Sequence, residues 1–256
     1  YTTDLITREA CRWIESHRGD RFCCIIPHAA PHYPYQGRGD AAERQPGVAP
    51  EEVHGRRARL DPSSVYDEII AALDDSVGTI LDHLEHLVLR DETLVVFTGD
   101  HGAPVPMGSN APFRAGKGSL FQGGLLVPTF WSCPGFLPQG TCCQAVLSSL
   151  DVTPGILAAL GLGIPPGLDG TNPLGALRGD APPGNRTLWW RYRQQRALRH
   201  GDWKWVFAEN RDHLFDLSTD PTESDDRSSV EPDILKRLRT QWDRCAAEWS
   251  SCPLVA

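Results

Sequence analysis

The sequence predicts an α/β fold with a small antiparallel sheet in its carboxyl-terminal part, and three observations carry that expectation. Thr93-Leu94-Val95-Val96-Phe97 is an apolar, β-branched run of the kind that forms a strand buried on both faces. Two segments of helical period precede it. Asp4 to His17 places Leu5, Ile6, Ala10, Trp13 and Ile14 at helical spacing, and Pro62 to Leu89 aligns Ile69, Leu73, Val77, Ile80, Leu84 and Leu87 on one face. Later, four short runs separated by turn residues read as strands: Thr187 to Tyr192, Arg196 to His200, Trp203 to Phe207 and His213 to Leu217. Residues 1–165 are therefore expected to form the α/β part and residues 166–256 a smaller subdomain, with the Pro- and Gly-rich stretch Gly161 to Gly184 as the passage between them.

The remaining elements follow in order. Phe22 to Ile26 reads as a short strand stopped by Pro27. His28 to Asp61 is a long loop rich in Gly, Pro and Arg, of a length that is usually functional or disordered. Leu125 to Trp131 reads as a second apolar strand, closed by Pro134-Gly135. A helix starts near Ser149, with Asp151 or Thr153 as its cap and Pro154 in its first turn, and ends near Gly161. Pro232 to Trp249 closes the chain as a helix, and Trp189, Trp190, Trp203 and Trp205 are expected to form the core of the small sheet.

Composition narrows the function classes. Hydrophobic content of 40% and charged content of 23% over 256 residues are ordinary for a globular protein. A net charge of −8 argues against a nucleic-acid partner, which needs a basic face. No apolar run reaches the roughly 20 residues of a membrane span. The eight cysteines include the adjacent pairs Cys23-Cys24 and Cys142-Cys143, which is not zinc-knuckle spacing. They are expected as buried small side chains or disulfide partners. Asn185-Arg186-Thr187 is a glycosylation sequon.

The chemistry concentrates between Thr93 and Pro128. Asp100-His101-Gly102 follows the predicted strand at its carboxyl end, where open α/β sheets bind ligands, so a carboxylate and an imidazole stand together as candidate metal ligands. Gly116-Lys117-Gly118-Ser119 then sets one cation among glycines, where backbone and ammonium can both approach an anion. Metal ligands followed by an anion clamp point to chemistry on a phosphate or sulfate ester.

This segment resembles the sulfatases of the arylsulfatase A and N-acetylgalactosamine-6-sulfatase type, which belong to the alkaline phosphatase superfamily. The likeness extends to Pro27-His28-Ala29-Ala30-Pro31-His32-Tyr33-Pro34 upstream. Downstream it takes in Leu168-Asp169-Gly170, Ala197 to Lys204, Leu214-Phe215-Asp216-Leu217 and Asp220-Pro221-Thr222-Glu223. The resemblance implies an alkaline-phosphatase-like sulfatase fold, present in part, and hydrolysis of sulfate esters. It implies a divalent cation, calcium with magnesium as the second choice, held by Asp100 and His101. Lys117 would bind and neutralise the sulfate, and His32 would contact the ester oxygen and protonate the leaving alcohol, with His28 as a structural neighbour. Asn110 and Arg114 flank the clamp and are candidate substrate contacts by position alone. Gln122 and Leu126 depart from the acid and the Arg usual around Gly-Gly. The substrate would be a sulfated small molecule or sulfated glycan, and the location exported, periplasmic or lysosomal.

The family's nucleophile, a formylglycine made within a Cys- or Ser-any-Pro-any-Arg motif, has no counterpart among the cysteines. Cys133 and Cys252 each precede Pro by one position too few, and no Arg follows. The early Asp-Asp metal pair and a Lys-any-His segment are absent too. The expectation is therefore the carboxyl-terminal portion of a sulfatase, inactive alone. The alternatives are a phosphodiesterase or phosphonate hydrolase of the same superfamily, or a non-catalytic module that binds sulfated glycans.

Overall fold

The computed structural model describes residues 1–40, 61–180 and 185–251. They fall into two compact units: Tyr1–Val95 with Ser132–Leu137, and Val96–Trp131 with Pro138–Ala256. Most of the loop expected between His28 and Asp61 lies outside the described residues, as does Cys252.

The first unit is built on two helices, α1 (Thr2–Ser16) and α2 (Pro62–His86). Their apolar stripes face each other: Ala10 and Ile14 pack on Ile80 and Leu84, with Cys11, Phe22, Ile26, Leu87, Leu89 and Val95 around them. Asp61 caps α2 by accepting from the Ser64 amide at 3.4 Å, and Pro62 occupies a first-turn position where no backbone donor is needed. Phe22 to Ile26 forms no strand. Its residues alternate, Phe22, Cys24 and Ile26 half-buried and Cys23 and Ile25 exposed, as a strand's would. A ladder, however, needs a neighbouring backbone, and no described segment pairs with it.

The second unit holds all but the first residue of β1 (Val95–Thr98) and all but the last of β2 (Thr129–Ser132), which pair as a two-stranded sheet. Residues of β1 are half-buried or exposed rather than buried, because only one strand flanks them among the described residues. The second strand starts later than expected. Leu125 ends a short helix, α3 (Gln122–Leu125), and Pro128 carries no amide for a ladder, so β2 begins at Thr129.

A short 3₁₀ turn, Ser149–Asp151, leads into α4 (Val152–Ala159). Ser148 caps the 3₁₀ turn, and Asp151 stands at the N-cap position of α4 as expected, although its side chain bonds none of that helix's amides. Ser148 Oγ accepts from the Leu150 amide and Asp151 Oδ2 accepts from the Ser148 amide at 2.7 Å, a reciprocal capping box. Asp151 is 1% exposed and also receives the Thr171 amide at 2.8 Å and a two-pronged contact from Arg186. Burial pushes its carboxyl up, but the guanidinium and the two amides outweigh that and hold it below the usual carboxylate range. The short helix α5 (Leu174–Arg178) follows.

The carboxyl-terminal sheet is an antiparallel meander of β3 (Thr187–Tyr192), β4 (Gln195–His200), β5 (Trp203–Ala208) and β6 (Arg211–Asp216), covered by α6 (Pro232–Ser251). Glu209 and Asn210, both at positive φ, make the two-residue turn between β5 and β6 that matches strand twist. The period of two divides the sheet cleanly. Leu198, Trp205 and Leu214 pack on Leu238 and Trp242 of α6, joined by Trp189 and Trp203. Ala197, Val206 and Phe215 face the other way, onto Leu120 and Phe121, with Trp190 against them. All four tryptophans are thus packing residues of the sheet's two faces.

Candidate active site

The candidate metal ligands lie just past β1. Asp100 Oδ1 accepts from the His101 amide at 2.9 Å, and the rest of the carboxylate is 86% exposed. His101 Nδ1 lies 2.9 Å from the Gly102 carbonyl. A carbonyl only accepts, so Nδ1 donates to it, and Nε2 stands 3.3 Å from Asp100 Oδ2. At this separation an imidazole nitrogen and a carboxylate oxygen can be offered to one ion. The pair therefore fits as two ligands of a divalent ion. It does not make a full site: among the described residues no cluster of three or more His, Cys, Asp or Glu could hold a metal, and calcium takes about six to eight donors.

Lys117 is carried by the next loop, and backbone bonds stitch that loop to the Asp100 turn. The Lys117 amide donates to the Ala103 carbonyl at 3.0 Å and the Gly102 amide to the Gly124 carbonyl at 3.1 Å. Asn110 grips Ala103 from both sides, its Oδ1 accepting the amide at 2.7 Å and its Nδ2 donating to the carbonyl at 2.9 Å. Such contacts require glycine where the strands of chain touch. A Cβ on Gly102 would sit 1.7 Å from the Gly123 carbonyl oxygen, and one on Gly116 would sit 2.5 Å from that of Ala103. Gly102→Ala is thus expected to separate the two loops and cost about 2 kcal/mol or more in a urea titration, as overpacking does. An alanine variant with the stability of the parent would show that the approach is not close in solution.

The Lys117 side chain itself is exposed and its ammonium has no partner among the described residues. Arg114, by contrast, is occupied: its guanidinium stacks 3.9 Å over the Phe121 ring and reaches the Glu223 carbonyl at 3.4 Å. Asn110 and Arg114 therefore support the loop from within.

Asp100, His101 and Lys117 share the second unit, while His32 belongs to the first. His32 is exposed, its ring centroid 4.1 Å from that of Tyr33, and its Nδ1 donates to the Tyr33 carbonyl at 2.9 Å, which leaves Nε2 for other partners. His28 turns inward, Nε2 lying 3.2 Å from Ser76 Oγ, and burial lowers its pKa below the ordinary imidazole value.

Sequence reasoning missed three residues that hold the clamp loop from below: Lys204, Glu223 and Gln195. Lys204 and Glu223 are both 0% exposed and their ammonium and carboxylate meet at 2.6 Å. Burial pushes the Lys204 ammonium down to about 8, against the pull of the Glu223 carboxylate. The signal was a charged residue in an alternating strand, Trp203-Lys204-Trp205, within a run already quoted for its family resemblance.

The family described as Sulfatase matches residues 1–162, more than half the chain. The chain belongs to the sulfatase family and has its alkaline-phosphatase-like α/β fold. Steryl-sulfatase of Mus musculus is 35% identical over 147 residues, 53% of this chain and 22% of that protein. N-acetylgalactosamine-6-sulfatase of Homo sapiens is 38% identical over 120 residues, 44% of this chain and 23% of that protein. These curated relatives are matched over less than a quarter of their length. Among solved structures, Ps i-CgsB superposes with a TM-score of 0.81 at 26% identity, covering 98% of this chain and 55% of that one. It has also been solved in complex with k-i-k-neocarrahexaose. BT4656, in complex with its substrate D-glucosamine-2-N,6-O-disulfate, shares the fold with a TM-score of 0.71 at 15% identity. No helix among the described residues is long and apolar enough to cross a membrane.

Proposed function

We propose that this chain forms the later part of the catalytic domain of an enzyme that hydrolyses sulfate esters. The observation that carries the reading is the Lys117 ammonium, unpartnered among the described residues, on a loop fastened by backbone bonds to the Asp100–His101 turn. A cation on a loop bonded to a carboxylate–imidazole turn suits a tetrahedral oxyanion ester. Asp100 and His101 would hold a divalent cation, calcium before magnesium, which when bound supplies positive charge against the sulfate oxygens. Lys117 would orient the sulfate and neutralise its charge. His32 would carry a proton at Nε2 for the leaving oxygen, its ring fixed by the Tyr33 carbonyl. Formylglycine would come from a part of the family fold that these 256 residues do not span, so their activity depends on that part. The names of two relatives and the saccharide complexes of two fold neighbours favour a sulfated sterol or a sulfated glycan as the substrate class.

The test compares two preparations on an aryl sulfate with calcium. The 256 residues alone should release no sulfate above background. The polypeptide that joins them to a formylglycine-bearing portion should turn over aryl sulfate faster than a diaryl phosphate. Turnover by the 256 residues that survives repurification would contradict the missing-nucleophile reading. A preference of the joined polypeptide for the phosphate diester would move the assignment to a phosphodiesterase. Retained glycan binding without turnover in either preparation would move it to a non-catalytic module.

A further inference from the structure

The loop that carries Lys117 is fixed on two sides. One side is the Asp100 turn already described; the other is the inner face of the carboxyl-terminal sheet. Gln195, at the start of β4, brackets Gly118 and Leu120. Its Nε2 donates to the Gly118 carbonyl at 2.9 Å and its Oε1 accepts from the Leu120 amide at 3.1 Å. Two residues further on, the buried pair takes over. Glu223 Oε2 accepts from the Gln122 amide at 2.5 Å, Glu223 Oε1 receives Lys204 Nζ at 2.6 Å, and Lys204 Nζ also donates to Gln122 Oε1 at 3.0 Å. The bonds from Gln195, Lys204 and Glu223 to the clamp loop join residues 75 to 101 positions apart in the chain, all within the second unit.

We propose that Gln195, Lys204 and Glu223 are positioning residues for Lys117, holding its loop at the height and angle at which the ammonium can meet a sulfate oxygen. This rests on the reading of Lys117 as the sulfate clamp. A buried ion pair is a poor device for stability alone, since desolvation offsets much of its attraction. Here both partners spend their remaining hydrogen bonds on one residue of the clamp loop, Gln122. Direction and charge balance both fit. Gln122, where the family resemblance leads one to expect an acid, supplies an uncharged acceptor, so the one buried ammonium faces one carboxylate. Phe121, packed between the Arg114 guanidinium and the rings of His213 and Phe215, closes the gap between the two anchors.

The chain contains three lysines, Lys117, Lys204 and Lys236, so selective lysine labelling gives three assignable signals in NMR. The variants are Gln195→Ala, which leaves the core untouched, and Glu223→Gln, which removes the carboxylate. In each, amide exchange at Lys117 and Leu120 should quicken about tenfold or more, as expected when one or two hydrogen bonds restrain a local opening. Exchange at Trp205 and Val206 of β5 should stay within about twofold in Gln195→Ala. The response of the Lys117 side-chain signal to inorganic sulfate should weaken in parallel, which loss of a merely structural bond elsewhere would not produce. Unchanged Lys117 exchange and unchanged sulfate response in Gln195→Ala, with β5 still protected, would overturn the proposal. It would do so even if Glu223→Gln fails to fold. A Lys117 signal indifferent to sulfate in the unaltered chain would overturn the clamp reading alone, because the exchange experiment reads anchoring without any ligand.

Discussion

Lys117→Ala in the complete sulfatase should lower kcat/KM toward an aryl sulfate by about 100- to 1,000-fold, the usual effect of deleting one preorganised charge-stabilising donor. The argument is local. The side chain is exposed and makes no ion pair among the described residues, so its removal takes away charge and almost no packing. Its loop is held by backbone bonds to Ala103 and by Gln195, none of which involves the side chain. Stability should therefore stay within about 0.5 kcal/mol of the parent, as for other surface substitutions. Lys117→Arg should recover part of the activity, since the charge remains while the point geometry of the ammonium is lost. An alanine variant with unaltered steady-state kinetics would place the sulfate clamp elsewhere.

Asp151→Ala should destabilise the second unit by about 3–5 kcal/mol, the range found when one member of a buried ion pair is removed. Five donors lose this acceptor at once: both prongs of the Arg186 guanidinium, the amides of Ser148 and Thr171, and the Thr171 hydroxyl. Arg186 is only 15% exposed at its side chain, so water cannot replace the lost partner fully. The same carboxylate makes a pH prediction. Its folded pKa is depressed, so its contribution is fully present above the unfolded value of about 3.9 and is lost as pH falls through the folded value. The parent should lose stability on acidification in that window, and Asp151→Ala should lack this component. Urea unfolding at neutral and acidic pH measures both effects. A neutral-pH difference below about 1 kcal/mol would mean that Arg186 finds another partner or reaches solvent.

The sequence alone determined the parts of this protein that depend on neighbours in the chain. The stripes of α1 and α2, the four strands of the carboxyl-terminal meander and the closing helix were legible because period and turn chemistry are local properties. The adjacency of Asp100 and His101, and the glycines around Lys117, were legible for the same reason. Tertiary structure decided everything that depends on what lies across a contact. Phe22 to Ile26 has the composition of a strand but no described backbone to pair with, so it is not one. Asp151 stands at the N-cap position of α4 as expected, but its carboxylate is committed to Arg186, Thr171 and the Ser148 amide. Asn110 and Arg114 were legible only as neighbours of the clamp; their bonds to Ala103, Phe121 and Glu223 are products of folding. Glu223 meets Gln122 from 101 residues away, and no local pattern encodes that distance. A buried charge is tolerated only where a specific partner arrives, and which partner arrives is a property of the fold.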